Sequence, residues 1–348
     1  MPYFRKPIKS WEIKKQWLKQ LEQEIENKEK QTTLYAGDGE ILARRVMPLD
    51  KPEKSLEQEK DKFIVNMSDF IDRIAFEELQ EYGRPRFNLR DIMKCLLVMS
   101  YNCMSYRRSE SDFRRMKEEE VISEIPKKSV LNKYANSLEI NNLLEKLIQY
   151  SATFFVENES TVIVDSTWFA IRNKYYGGYE TVHDKRGASL DKVRKLHICC
   201  LKNSKIISCA KATKGTESDF NMFEELVRTT IKRGFNISRL LADAGYSSRN
   251  NYLICKELGI LNAFIDFKKN SSVKRSKSAL WRERVRMWKE QKELWHETYR
   301  FRVVIEGFFS AIKRKGLIYL RSKTETAQDV ELLLKVLVYN VCVIGRYT

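Results

Sequence analysis

Three patterns of apolar spacing follow one another along the chain. Residues 1 to about 62 open with one amphipathic repeat, Trp11, Leu18, Leu21 and Ile25, and then turn polar and charged through Glu59-Lys-Asp-Lys; a single helix followed by a flexible arm is predicted. From Phe63 to about Glu159 the spacing is helical throughout: Ile92, Leu96, Leu97 and Met99 form one stripe, Leu138, Leu143, Leu144 and Leu147 another, with a break at Ile125-Pro-Lys-Lys-Ser. From Ser160 short β-branched runs take over and alternate with helical ones. Strands are predicted at 161–172, 195–202, 205–212, 238–243 and 262–267, and helices at 217–233, 247–258, 298–314 and 326–345. Three strands, then helix, strand, helix and strand make an α/β core of residues 160–348 behind an all-helical region at 63–159.

Two of the strands carry a charge where an apolar run has none to spare. Asp165 interrupts Thr-Val-Ile-Val-Asp-Ser-Thr, and Asp243 ends Arg-Leu-Leu-Ala-Asp and is followed by a turn on Gly245. A carboxylate in such a place is costly unless a cation or donor meets it. Asp243 can alternatively be read as a cap on the helix that follows Gly245. Further on, Tyr299, Arg302, Glu306 and Lys313 fit Y-x2-R-x3-E-x6-K. At about 100° per residue these four side chains fall in a helical stripe roughly 60° wide, so a tyrosine, two cations and a carboxylate face one way. Such a face can grip a phosphate backbone and hold a metal. Asp165, Asp243 and Glu306 together form an oxygen donor set that suits Mg²⁺ or Mn²⁺.

Charge sharpens the picture. The formal net charge is +17 over 348 residues, which calls for a polyanionic partner, nucleic acid first and an anionic membrane second. Residues 268–302 are the densest basic segment, with twelve Lys or Arg against four Asp or Glu. Within it Trp281, Trp288 and Trp295 recur every seven residues and are expected on one core-facing side of a helical insertion at about 268–297. Arg282, Arg284 and Arg286 then spread over the other sides, where they would meet phosphates. Arg107, Arg108, Arg114 and Arg115 could do the same from the helical region, or simply form a solvated face. Val330 to Ile344 is too short to span a bilayer and is interrupted by Glu331, Lys335 and Asn340, so it reads as an amphipathic helix. The N-terminus lacks the apolar core of a signal peptide, and a cytoplasmic protein without a membrane is expected. The seven cysteines never form C-x-x-C and are expected to be reduced core thiols; with three histidines no zinc site is predicted. His197 could point toward the carboxylates from a neighbouring strand, although a strand histidine is more often structural. No Walker-type phosphate loop is present, so no ATP is expected.

At these residues the chain resembles the DDE transposases of prokaryotic insertion sequences, in particular the Y-x2-R-x3-E-x6-K subgroup of insertion-sequence families four and five. Asp165 in Asp-Ser-Thr, Asp243 in Ala-Asp-Ala-Gly-Tyr and Glu306 in the signature carry the resemblance. Tyr82-Gly-Arg-Pro-Arg-Phe and Met104-Ser-Tyr-Arg-Arg-Ser-Glu are similar to the family's helical N-terminal region. It implies a ribonuclease-H-like core, a mixed five-stranded sheet whose first and fourth strands are neighbours, so that Asp165 and Asp243 meet and the Glu306 helix packs across the sheet. It further implies an endonuclease and strand-transfer enzyme with two metal ions per site, Asp165 shared between them and Asp243 and Glu306 completing one side each. Tyr299, Arg302 and Lys313 would hold the transposon end. The implied partners are double-stranded DNA, as terminal inverted repeats and target, and a second copy of the chain on paired ends, with residues 63–159 binding ends, dimerising or both. Ser218-Asp219 stands where many relatives have His-Asp, and the short helical insertion replaces the larger β-rich one of relatives that cut through a hairpin. A plain nuclease of the same fold and a domesticated DNA-binding protein are the competing readings.

Overall fold

The computed structural model describes residues 33–35, 41–44, 59–74, 88–171, 193–268, 271, 278–314 and 319–347. The predicted helix of Trp11 to Ile25 and the Tyr82 to Phe87 segment lie outside them. The chain divides into two units, one of residues 1–50 with 347–348 and one of residues 51–346. In the first, β1 (Thr33–Tyr35) pairs antiparallel with β2 (Ile41–Arg44), a hairpin within what the polar pattern predicted as an arm.

Among the described residues, the second unit has five α-helices before its first strand: α1 (Glu59–Asp72), α2 (Leu89–Asn102), α3 (Glu110–Glu118), α4 (Lys128–Ala135) and α5 (Leu138–Ala152). Their ends follow capping chemistry. The Asn88 side chain accepts from the Arg90 N–H to start α2, and Ser137 accepts from Ile140 to start α5. Most of the apolar stripes are buried, with Ile92, Leu96, Leu97, Leu143, Leu144 and Leu147 inside, but Met99 is half-buried and Leu138, at the start of α5, is 65% exposed.

The sheet that follows has the order β5-β4-β3-β6-β7, from β3 (Thr161–Ile171), β4 (Val193–Leu201), β5 (Ile207–Lys214), β6 (Arg239–Ala242) and β7 (Asn262–Ile265). β4 runs antiparallel to both β3 and β5, while β6 is parallel to β3 and to β7. Helices α6 (Asp219–Lys232) and α7 (Arg249–Glu257) make the crossovers. This is a ribonuclease-H-like α/β core. One short strand was not foreseen: β8 (Tyr319–Leu320) pairs with the far end of β3 at Ala170 and Ile171, making the sheet six-stranded. The seven cysteines are free thiols, five of them buried.

The last helix, α11 (Glu325–Ile344), departs from the amphipathic reading. It is buried on nearly every side from Ala327 to Val343 because α1, α2 and α5 cover one part of it and β5 another. Its polar interruptions are built into the packing. Asn340, fully buried, accepts from the Ile207 N–H at 3.0 Å and donates to the Ile207 carbonyl and to Ser151 Oγ, both at 2.8 Å. Among the described residues no helix is long and apolar enough to cross a membrane.

Candidate active site

The β3–β6 ladder ends at Val164 opposite Ala242, so the next residue on each strand is an aspartate at the same level of the sheet. Asp165 is 5% exposed, and its Oδ1 accepts from the Ser166 N–H at 2.8 Å. Burial pushes its carboxyl up to about 6, even though the Arg302 guanidinium pulls the other way. Asp243 leaves β6 into a 3₁₀ turn, Ala244–Tyr246, and its Oδ1 accepts from the Gly245 N–H at 2.8 Å. Asp243 thus caps this 3₁₀ turn and not the helix after Gly245, α7, whose cap is Ser248, its side chain accepting from the Asn251 N–H. Burial raises this carboxyl too, against that hydrogen bond.

The helix carrying the signature is not continuous. Where one helix over 298–314 was predicted, α9 (Lys292–Tyr299) ends at the tyrosine, Arg300–Arg302 form a 3₁₀ turn, and α10 (Val303–Arg314) begins afresh. The β-branched run Val303-Val304-Ile305 is a weak continuation for a helix, and the tighter turn re-aims the chain there. The signature residues still converge. Arg302 Nη2 donates to Asp165 Oδ2 at 2.9 Å, and Nη1 lies 3.6 Å from Glu306 Oε1. Lys313 Nζ donates to Thr167 Oγ1 at 2.7 Å, two residues along β3 from Asp165, and sits over the Phe169 ring at 5.6 Å. Tyr299 is largely buried, which raises its hydroxyl pKa; Arg302 opposes this and Asp266, Asp243 and Asp165 add to it. Glu306 itself has a 60% exposed side chain.

Among the described residues, no group of three or more His, Cys, Asp or Glu side chains converges closely enough to hold a metal ion. A cation nevertheless stands in that place, the Arg302 guanidinium between Asp165 and Glu306. Oxygen-only donors around a positive charge fit Mg²⁺ or Mn²⁺ in kind.

The basic segment divides by role. α8 (Ala279–Glu290) and α9 are separate helices meeting at Gln291, yet Trp281, Trp288 and Trp295 all pack on Phe267, with ring centroids 5.1, 5.5 and 5.9 Å away. Trp295 is fully buried in the core, while Trp281 and Trp288 are half-buried at its edge. Arg282 and Arg286 are exposed on α8. Arg284 is committed elsewhere, its Nη2 donating to the Leu261 carbonyl at 2.8 Å.

A second polar cluster adjoins the aspartates. Asp219, the first residue of α6, accepts through Oδ1 from Ser166 Oγ at 2.5 Å and Lys195 Nζ at 2.9 Å, with His197 Nδ1 at 3.4 Å. Burial alone would raise this carboxyl, but the contacts from His197, Ser166 and Lys195 win and hold it down at about 2. His197 is fully buried and its Nε2 meets Thr213 Oγ1 at 2.9 Å, so it serves Asp219 instead of the signature residues. In the sequence this cluster was signalled by Lys195 and His197 at i and i+2 in β4, whose buried run also holds Arg194, and by the Ser218-Asp219 pair.

Fold and site thus define a ribonuclease-H-like protein with paired strand aspartates and a cationic helix laid against them. The chain belongs to the transposase DDE domain family, whose model matches residues 157–341. Comparison with curated proteins returns no match. Among solved structures, the Drosophila P element transposase strand transfer complex is similar over 60% of this chain and 42% of that one, at 13% identity and a TM-score of 0.26. The chain thus spans less than half the length of that relative.

Proposed function

We propose that the chain is a transposase of the Y-x2-R-x3-E-x6-K subgroup that cleaves the ends of an insertion sequence and joins their 3′-hydroxyls to target DNA. The observation that supports this reading is that Asp165 and Asp243 follow directly on paired residues of neighbouring strands and that Arg302 reaches both Asp165 and Glu306 from a third element. Asp165, Asp243 and Glu306 are the residues that would hold divalent cations. Two such ions, when bound, activate the attacking water or 3′-hydroxyl and stabilise the leaving oxygen. Arg302 and Lys313, with Tyr299 beside them, would hold the phosphate against these carboxylates; both cations are already anchored to β3, through Asp165 and Thr167. Pre-positioned cations of this kind favour the charge that develops at the reacting phosphate without rearrangement. Residues 63–159 would bind the inverted repeats or dimerise on paired ends, and no ATP is consumed.

The test is cleavage of the element's own ends by the full chain with Mg²⁺ or Mn²⁺. Asp165→Asn, Asp243→Asn and Glu306→Gln should each abolish cleavage and leave end binding within about twofold, because each keeps the side-chain shape and removes a ligand charge. A neutral variant cleaving at the parent rate would remove that residue from the triad.

A further inference from the structure

Asp219 does more in this structure than anchor a helix. All three of its polar partners come from β3 and β4, where Ser166 lies directly opposite His197 and Lys195 is two residues away on the same strand. Lys195 is itself held, donating to the Glu217 carbonyl at 3.2 Å and lying 4.9 Å from the Trp168 ring centroid. His197 is held by Thr213. Oxygen Oδ1 is therefore approached from three fixed directions. The other oxygen faces the opposite way: a Cβ on Gly245 would lie 2.9 Å from Asp219 Oδ2 and 3.0 Å from Asp243 Oδ1. Gly245 is without a side chain at the point where the two carboxylates crowd its α-carbon.

We infer that Asp219 is a positioning residue of the active site, tying the strand of Asp165, through Ser166, to the turn of Asp243, across Gly245. A buried ion pair that only anchored α6 would need Lys195, but it would not need the second oxygen beside Asp243. The inference rests on the reading of Asp165 and Asp243 as metal-holding residues, and it deepens that reading by adding what sets their spacing. Residues that orient metal ligands typically change affinity or activity by about 10–100-fold when replaced.

The experiment uses full-length Asp219→Asn, Asp219→Glu, Lys195→Met and the double variant Asp219→Asn/Lys195→Met. Each is measured for thermal midpoint, end-DNA affinity, single-turnover cleavage at saturating DNA, and calorimetric Mn²⁺ affinity without DNA. Asp219→Asn should slow cleavage and weaken Mn²⁺ binding by about 10–100-fold with end-DNA affinity within about twofold, and Asp219→Glu should recover part of both. The double variant removes both members of the ion pair and should return the thermal midpoint toward the parent without returning cleavage or Mn²⁺ affinity. Recovery of cleavage and Mn²⁺ affinity together with stability would reduce Asp219 to a helix anchor and overturn the inference. If the parent cleaves no end DNA, the transposase reading fails separately, and calorimetry alone decides this one. Equal Mn²⁺ affinities in parent and Asp219→Asn, or no Mn²⁺ binding by the parent, overturn it.

Discussion

Asp165 is held against its own preference. Its carboxyl sits at about 6 from an ordinary 3.8 because burial outweighs the attraction of Arg302, so the folded protein favours the protonated form. The stability associated with that proton is fully present below the unfolded value and is lost as pH rises through about 6. In metal-free buffer Asp165→Asn should therefore stabilise the fold at pH 8 by up to the order of 2–3 kcal/mol, seen as a raised thermal midpoint, and the gain should fade below pH about 4. A gain that grew on acidification would reverse the assignment. Arg302 shares this tension, since its guanidinium occupies the Asp165 oxygen a metal would use. Arg302→Gln should thus tighten Mn²⁺ binding to the DNA-free protein in calorimetry and still slow cleavage. Weaker Mn²⁺ binding would show that Arg302 organises the carboxylates instead of competing for them.

At the scale of elements, the proposed function gives the basic insertion two roles, packing on the core and contact with DNA. Its tryptophans close over Phe267, and Phe267 also stacks on Tyr252 at 5.6 Å. Exposed Arg282 and Arg286 are free to follow a DNA backbone, whereas Arg284 is spent on Leu261. Replacing Arg282 and Arg286 with Gln should flatten the log–log salt dependence of end binding by up to about two units, at about 0.9 per phosphate released. Arg284→Gln should instead lower stability, and an unchanged salt slope in the double variant would place the DNA path elsewhere. Strands such as Thr161–Ile171 were legible because β-branched runs bounded by turn residues are short-range signals. The pairing of Asp165 with Asp243 came from the family resemblance, since register is a property of the assembled sheet. The 3₁₀ break at Arg300–Arg302 was hidden because a residue stripe looks the same on one helix or two. Asp219 was noted only as part of the Ser218-Asp219 pair that stands where many relatives have His-Asp, because its partners Ser166 and Lys195 lie 53 and 24 positions back and are gathered only by the antiparallel β3–β4 pair.

On the scale of the molecule, the boundary drawn at residue 160 separates patterns of sequence, while the packing runs across it. Helix α5, from the helical region, lies on both β5 and α11, and α11 in turn contacts α1 and α2. Asn340 joins α11 to the Ile207 backbone of β5 and to Ser151 of α5 in one buried polar knot. Residues 51–346 accordingly form one compact unit. A fragment of residues 160–348 would uncover apolar faces of β5 and α11 and leave Asn340 without Ser151, and contiguous apolar exposure on that scale drives aggregation. The fragment should be insoluble or molten, lacking near-ultraviolet circular dichroism, whereas the full chain should melt residues 59–346 in a single cooperative transition by chemical denaturation. Ser151→Ala, which strips one partner from a buried amide, should destabilise the whole unit by about 1–3 kcal/mol and shift the helical and sheet signals together. A soluble fragment with a sharp transition of its own would show that the ribonuclease-H-like core folds independently and that the helical region is an attachment to it.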